Sequence, residues 1–93
     1  MANLGFFEID TNDEYIDLET LTELTFTTGT KYTMQVQNAN SYLTVCIADS
    51  TPTKNQGGFL MKDLEKFDYT PDGTNNIYVR TSGTASVYLN IAS

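Results

Sequence analysis

Apolar and polar positions alternate most sharply between Lys31 and Ala48, KYTMQVQNANSYLTVCIA. Tyr32, Met34 and Val36 alternate with Lys31, Thr33, Gln35 and Gln37. Beyond Asn38-Ala39-Asn40-Ser41, the apolar positions Leu43, Val45 and Ile47 alternate with Thr44 and Cys46. A period of two marks a strand with one buried face. Two such runs joined by a short Asn-rich break predict an antiparallel hairpin with six large apolar side chains on one side. One sheet cannot cover that face, so the rest of the chain must supply a second layer.

The remaining segments read as further short strands and turns. Residues 1–13, MANLGFFEIDTND, read as an N-terminal arm ahead of a domain spanning 14–93. Phe6, Phe7 and Ile9 are its adhesive side chains, and Phe7 and Ile9 share one strand face. The arm either closes the edge of its own sheet or adds a strand to a neighbouring subunit. From Tyr15 to Thr28 the even positions Ile16, Leu18, Leu24 and Phe26 share a face. Leu21 breaks the alternation and predicts two short strands with a turn or bulge near Glu19–Thr22. Residues 49–58 are a loop by composition, long for a small domain. Phe59-Leu60-Met61 is a short apolar run, and Phe67 and Tyr69 are in phase after it. Thr70-Pro71-Asp72-Gly73 and Ser82-Gly83-Thr84 are turns on either side of Ile77-Tyr78-Val79-Arg80. The last strand points Val87, Leu89 and Ile91 inward. About seven strands with regularly spaced turn signals predict an all-β, antiparallel sandwich, jelly-roll or immunoglobulin-like.

Composition agrees. Fifteen threonines, six tyrosines and five phenylalanines suit pleated, half-buried surfaces. Ninety-three residues allow one modest core. No apolar run is long enough for a membrane helix, and the first residues lack the basic start of an export signal, so synthesis and assembly inside a cell are expected. Cys46 is the single cysteine, and the chain has no histidine to activate it.

Charge is distributed unevenly. Glu8, Asp10, Asp13, Glu14, Asp17, Glu19 and Glu23 lie in the first 30 residues with no Lys or Arg among them, and the remaining residues balance to zero, which together give the net −7. That surface repels phosphate backbones, so no nucleic-acid partner is expected. An acidic face suits docking on a basic patch.

The candidate chemistries fail on spacing. Asp10-Thr11-Asn12-Asp13-Glu14 begins like a calcium loop, but Tyr15 and Leu21 stand where an EF-hand needs Gly and Glu. A glycosidase pair would need a cleft that so small a sandwich scarcely affords. No catalytic residue, cofactor or metal is expected. Tyr42, Tyr69, Tyr78 and Tyr88 include several on the outward phase, suited to a protein or carbohydrate contact. Arg80 shares the phase of Tyr78 and can meet the acidic first third in cis or in trans.

From Thr28 to Ile91 the order of features resembles a group of small bacteriophage virion proteins. The features are Thr28-Gly29-Thr30-Lys31-Tyr32 running into Gln35-Val36-Gln37-Asn38, a valine-containing second strand and a loop containing Pro52. Gly58-Phe59-Leu60, an acidic stretch ending at Tyr69, Ile77-Tyr78-Val79-Arg80-Thr81-Ser82 and Val87-Tyr88-Leu89 follow. The group commonly has Leu-Trp-Val-Arg in its penultimate strand, and here Tyr78 stands in the Trp position. The resemblance implies a β-sandwich that binds the outside of a capsid as a head decoration or auxiliary capsid protein. It also implies a homo-oligomer, commonly a trimer, made in the infected bacterial cytoplasm and carried on the virion. Its partner would be the major capsid protein or another virion protein, with no membrane involved. Phe6, Phe7, Ile9, Tyr78, Arg80 and Tyr88 are the expected interface residues. The alternative is a carbohydrate- or receptor-binding module of a head fibre, tail fibre or baseplate, using the outward tyrosines and the 50–58 loop.

Overall fold

A computed structural model describes residues 2–93. Eight strands and one helical turn follow in the order β1 (Asn3–Ile9), β2 (Ile16–Asp17), α1 (Leu18–Thr22), β3 (Tyr32–Gln37), β4 (Leu43–Ala48), β5 (Phe59–Met61), β6 (Lys66–Tyr69), β7 (Asn76–Thr81) and β8 (Val87–Ala92). They form two four-stranded antiparallel sheets, ordered β1-β8-β3-β6 and β2-β7-β4-β5. Every connection between consecutive strands except β4–β5 passes from one sheet to the other. This is the wrapping of an eight-stranded jelly roll, and it resolves the choice between jelly-roll and immunoglobulin-like forms.

The expected hairpin of Lys31–Ala48 is therefore two strands of opposite sheets. β3 pairs with β6 and β8, and β4 pairs with β5 and β7. Alternation did place the faces. Tyr32, Met34 and Val36 from one sheet and Leu43 and Val45 from the other are buried in a common core, while Ile47, at the far end of β4, is exposed. The five-residue connection between them starts at Asn38, whose φ of 52° turns the chain out of β3.

Within the segment read as an arm, Asn3–Ile9 is strand β1 of this sandwich, and Met1 lies outside the described residues. Its register places Phe7 opposite Leu89 and Ile9 opposite Val87. The reading in which it closes its own sheet is the one observed. Ala2 and Ser93 extend the pairing, each N–H donating to the other's carbonyl.

Glu19–Thr22 is a helical turn and not a bulge between two strands. Asp17 caps it by accepting the Glu19 N–H at 2.9 Å, and Glu23 ends it in the left-handed region. Leu18 and Thr22, four residues apart, face inward. Glu19 Oε2 then accepts the Phe26 N–H at 2.7 Å. This draws Phe26 onto Tyr32 and Tyr69, with ring centroids 4.9 and 5.9 Å apart, and the aromatic trio closes one end of the core. Met34, Leu89 and Ile91 are wholly buried beneath it. Burial stabilises by about 1.5–3 kcal/mol for each such side chain.

Candidate interaction surface

The six expected interface residues divide by burial. Ile9 belongs to the main core. Phe7 is half-buried against it. Phe6 points outward, 48% exposed, and stacks on half-buried Tyr88 with centroids 5.1 Å apart and planes 9° from parallel. The Tyr88 hydroxyl approaches Glu8 Oε2 at 3.4 Å. The outer face of this sheet is thus partly apolar, but its aromatic rings are spent largely on each other.

Tyr78 lies on the outward phase of β7, as expected, yet it is buried. The loop over 49–58 folds back across the outer face of its sheet, and Tyr15 comes over from the β1–β2 connection. Tyr15, Cys46 and Tyr78 form a second small core. The Tyr15 hydroxyl fastens the loop by donating to Gln56 O at 2.8 Å. Gly58 fits against the sheet so closely that a Cβ there would stand 2.5 Å from Val45 O. The loop is therefore fitted to the sheet. Arg80 is half-buried and reaches the acidic first third in cis, where its guanidinium lies over the Tyr15 ring and not against a carboxylate. Its Nε and Thr44 Oγ1, on strands paired in register at these residues, are buried without hydrogen-bond partners among the described residues.

The feature that periodicity passed over is β5. Each sheet has two edge strands, and an unpaired edge is normally protected by charge, bulge or brevity. β1 carries Glu8 and a register shift between Asn3 and Gly5, β2 is two residues long with Asp17, and β6 carries Lys66 and Asp68. β5 is Phe-Leu-Met and carries no charge. Phe59 is 70% exposed and Leu60 58%. Exposed Ile47 lies two residues from Val45, the partner of Phe59 across β4. The signal was present in the run Phe59-Leu60-Met61. Its three residues are too few to show a period, and only the topology makes it an edge.

Below β5, the β3–β4 and β5–β6 connections enclose a shallow cleft of about 300 Å³ lined by Ala39, Asn40, Ser41, Tyr42, Lys62 and Asp63. Tyr42, one of the four tyrosines of which several were expected on the outward phase, is 48% exposed. Ser41 Oγ is buried without a partner among the described residues, a state that costs about 1–3 kcal/mol unless water or a ligand supplies the bond.

Two groups titrate away from their ordinary values, both near the opposite end of β6. Burial raises the Tyr69 pKa, reinforced by the charges of Glu19, Asp72 and Asp17. Asp72 is held down to about 2, chiefly by the backbone N–H of Asn75 and then that of Thr74, with the Asn75 side chain adding to it. Both shifts belong to the aromatic plug and its adjoining turn. Among the described residues, no group of three His, Cys, Asp or Glu side chains is placed to hold a metal ion, and no helix is long and apolar enough to cross a membrane.

No protein-family model matches the chain, and neither a curated protein nor a solved structure matches it significantly.

Proposed function

We propose that this chain is a structural protein of a bacteriophage virion, a head decoration or auxiliary capsid protein that stabilises the shell by binding its outer surface as a homo-oligomer. The observation that carries the proposal is the uncharged, exposed β5 edge. Phe59 and Leu60 sit beside unpaired backbone groups, a surface completed by another polypeptide. The resemblance of residues 28–91 to small virion proteins supplies the setting. The jelly roll, a fold shared by viral capsid and lectin domains, supports it by analogy alone.

Charge placement favours a head-to-tail contact. The β1/β2 edges lie on one flank of the sandwich and the β5/β6 edges on the other. The first 30 residues carry seven acids and no base, whereas residues 49–69, which include the β5/β6 flank, carry Lys54, Lys62 and Lys66 against Asp49, Asp63, Glu65 and Asp68, an excess of one negative charge. Joining two acidic flanks sets like charges together, and joining an acidic flank to a nearly neutral one does so far less. Where its rotation closes, repetition of that heterologous contact makes a ring, and the resemblance to small virion proteins implies a trimer. The remaining acidic surface then meets basic patches of the major capsid protein.

The test is oligomeric mass by light scattering together with co-sedimentation on phage particles. A trimer that sediments with particles is expected, with both properties reduced by Leu60→Lys. A wild-type chain that stays monomeric and ignores particles overturns the proposal.

A further inference from the structure

We propose that the cleft between the β3–β4 and β5–β6 connections binds a neutral hexose unit of a glycan, with the Tyr42 ring as its platform. Sugars offer hydroxyls that both donate and accept, together with one apolar ring face, and the cleft matches both properties. Tyr42 presents an exposed ring on a backbone clamped from both sides: its N–H donates to Ser82 Oγ and its carbonyl accepts the Ser82 N–H, each at 2.9 Å. The backbone that carries the platform is therefore fixed before any ligand arrives. Asp63 Oδ1 accepts the Ala39 N–H at 3.2 Å, which anchors the carboxylate, and among the described residues Oδ2 accepts no hydrogen bond. The Asn40 amide both donates and accepts.

The volume of about 300 Å³ is at the small end for ligand sites and suits one sugar ring with its exit to solvent. Lys62 offers a positive charge, but the chain's net −7 disfavours acidic sugars, so the occupant is neutral. This site differs from the sugar-binding alternative in the sequence, which drew on Tyr78, now buried, and on the 50–58 loop, now packed on its sheet. It does not depend on the virion reading.

The test is a titration of the isotopically labelled full chain, followed by amide NMR, with methyl glucoside, methyl mannoside, methyl galactoside and N-acetylglucosamine at millimolar concentration. At least one probe is expected to shift Asn40, Ser41, Tyr42 and Asp63. Tyr42→Ala should weaken binding tenfold or more, Asp63→Asn should weaken it severalfold, and Tyr42→Phe should preserve it. The titration is repeated on Leu60→Lys, so that loss of oligomerisation and loss of sugar binding are read separately. No shift with any of the four sugars, or equal binding by Tyr42→Ala, overturns the proposal.

Discussion

The guanidinium carbon of Arg80 lies 5.1 Å from the centroid of the Tyr15 ring. The contact joins β7 to the acidic N-terminal third through an aromatic face. The same ring covers Cys46 and Tyr78, and its hydroxyl holds the 49–58 loop. One side chain thus fixes a loop, shields a thiol and receives a cation.

Tyr15→Phe should cost about 1 kcal/mol in urea unfolding, the worth of its hydroxyl bond to Gln56 O. Tyr15→Ala should cost about 3–5 kcal/mol. In the alanine variant Cys46 should also react faster with a thiol reagent under native conditions, because its cover is gone. An unchanged thiol rate would mean that the loop stays down without the ring.

Gly57 and Gly58 are adjacent but should respond oppositely to alanine. A Cβ at Gly57 meets nothing within 4 Å, whereas at Gly58 it meets the backbone oxygen of Val45 at 2.5 Å. Gly57→Ala should stay within about 0.5 kcal/mol of the parent. Gly58→Ala should lose about 1–3 kcal/mol, since the backbone of a packed strand cannot yield. Thermal melts of the pair decide it.

Stability should fall at both ends of the pH scale, for separate reasons. Asp72 titrates lower in the folded chain than its ordinary 3.8, so its contribution is present above that value and lost as pH falls through about 2. Tyr69 titrates higher folded than its ordinary 10.0, so its contribution is complete below pH 10 and lost as pH rises through the folded value. Asp72→Asn should flatten the acid limb of a melting-temperature profile, and Tyr69→Phe the alkaline limb. Tyr69→Phe should leave the acid limb unchanged, whereas Asp72→Asn, by removing one of the charges that raise Tyr69, should also soften the alkaline limb slightly.

The two exposed apolar regions should separate by function. Phe6→Ser removes the stack on Tyr88, worth about 0.5–1.5 kcal/mol of folding stability, and should leave oligomeric mass unchanged. Leu60→Lys should lower the mass while leaving the melting temperature of the subunit nearly unchanged, because Leu60 is largely in solvent. Light scattering and calorimetry on both variants test the assignment of the contact to β5.

Period-two alternation located the faces of β3, β4 and β8 correctly, because a strand's side chains alternate whatever it pairs with. It gave no partner, so Lys31–Ala48 read as a hairpin although Asn38 steers the chain into the opposite sheet. α1 was hidden by its five residues, too short for helical periodicity, although Asp17 with Leu18 and Thr22 four apart carried the signal. At the surface, Tyr78 was assigned to the outer face correctly, but its covering by Tyr15 and a loop 20 or more residues earlier depends on tertiary folding. The β5 edge and the Tyr42 cleft arise between segments, where no local pattern could mark them.

The sheet order also sets the sequence of events during synthesis. Of these eight strands β1 is made first, yet the strand it pairs with, β8, is made after the other seven. Phe6, Phe7 and Ile9 must therefore wait in water until β8 has emerged, and such distant pairing folds slowly. A nascent or truncated chain lacking Val87–Ala92 would carry those three side chains uncovered, a ready substrate for chaperones or for misassembly among incomplete copies.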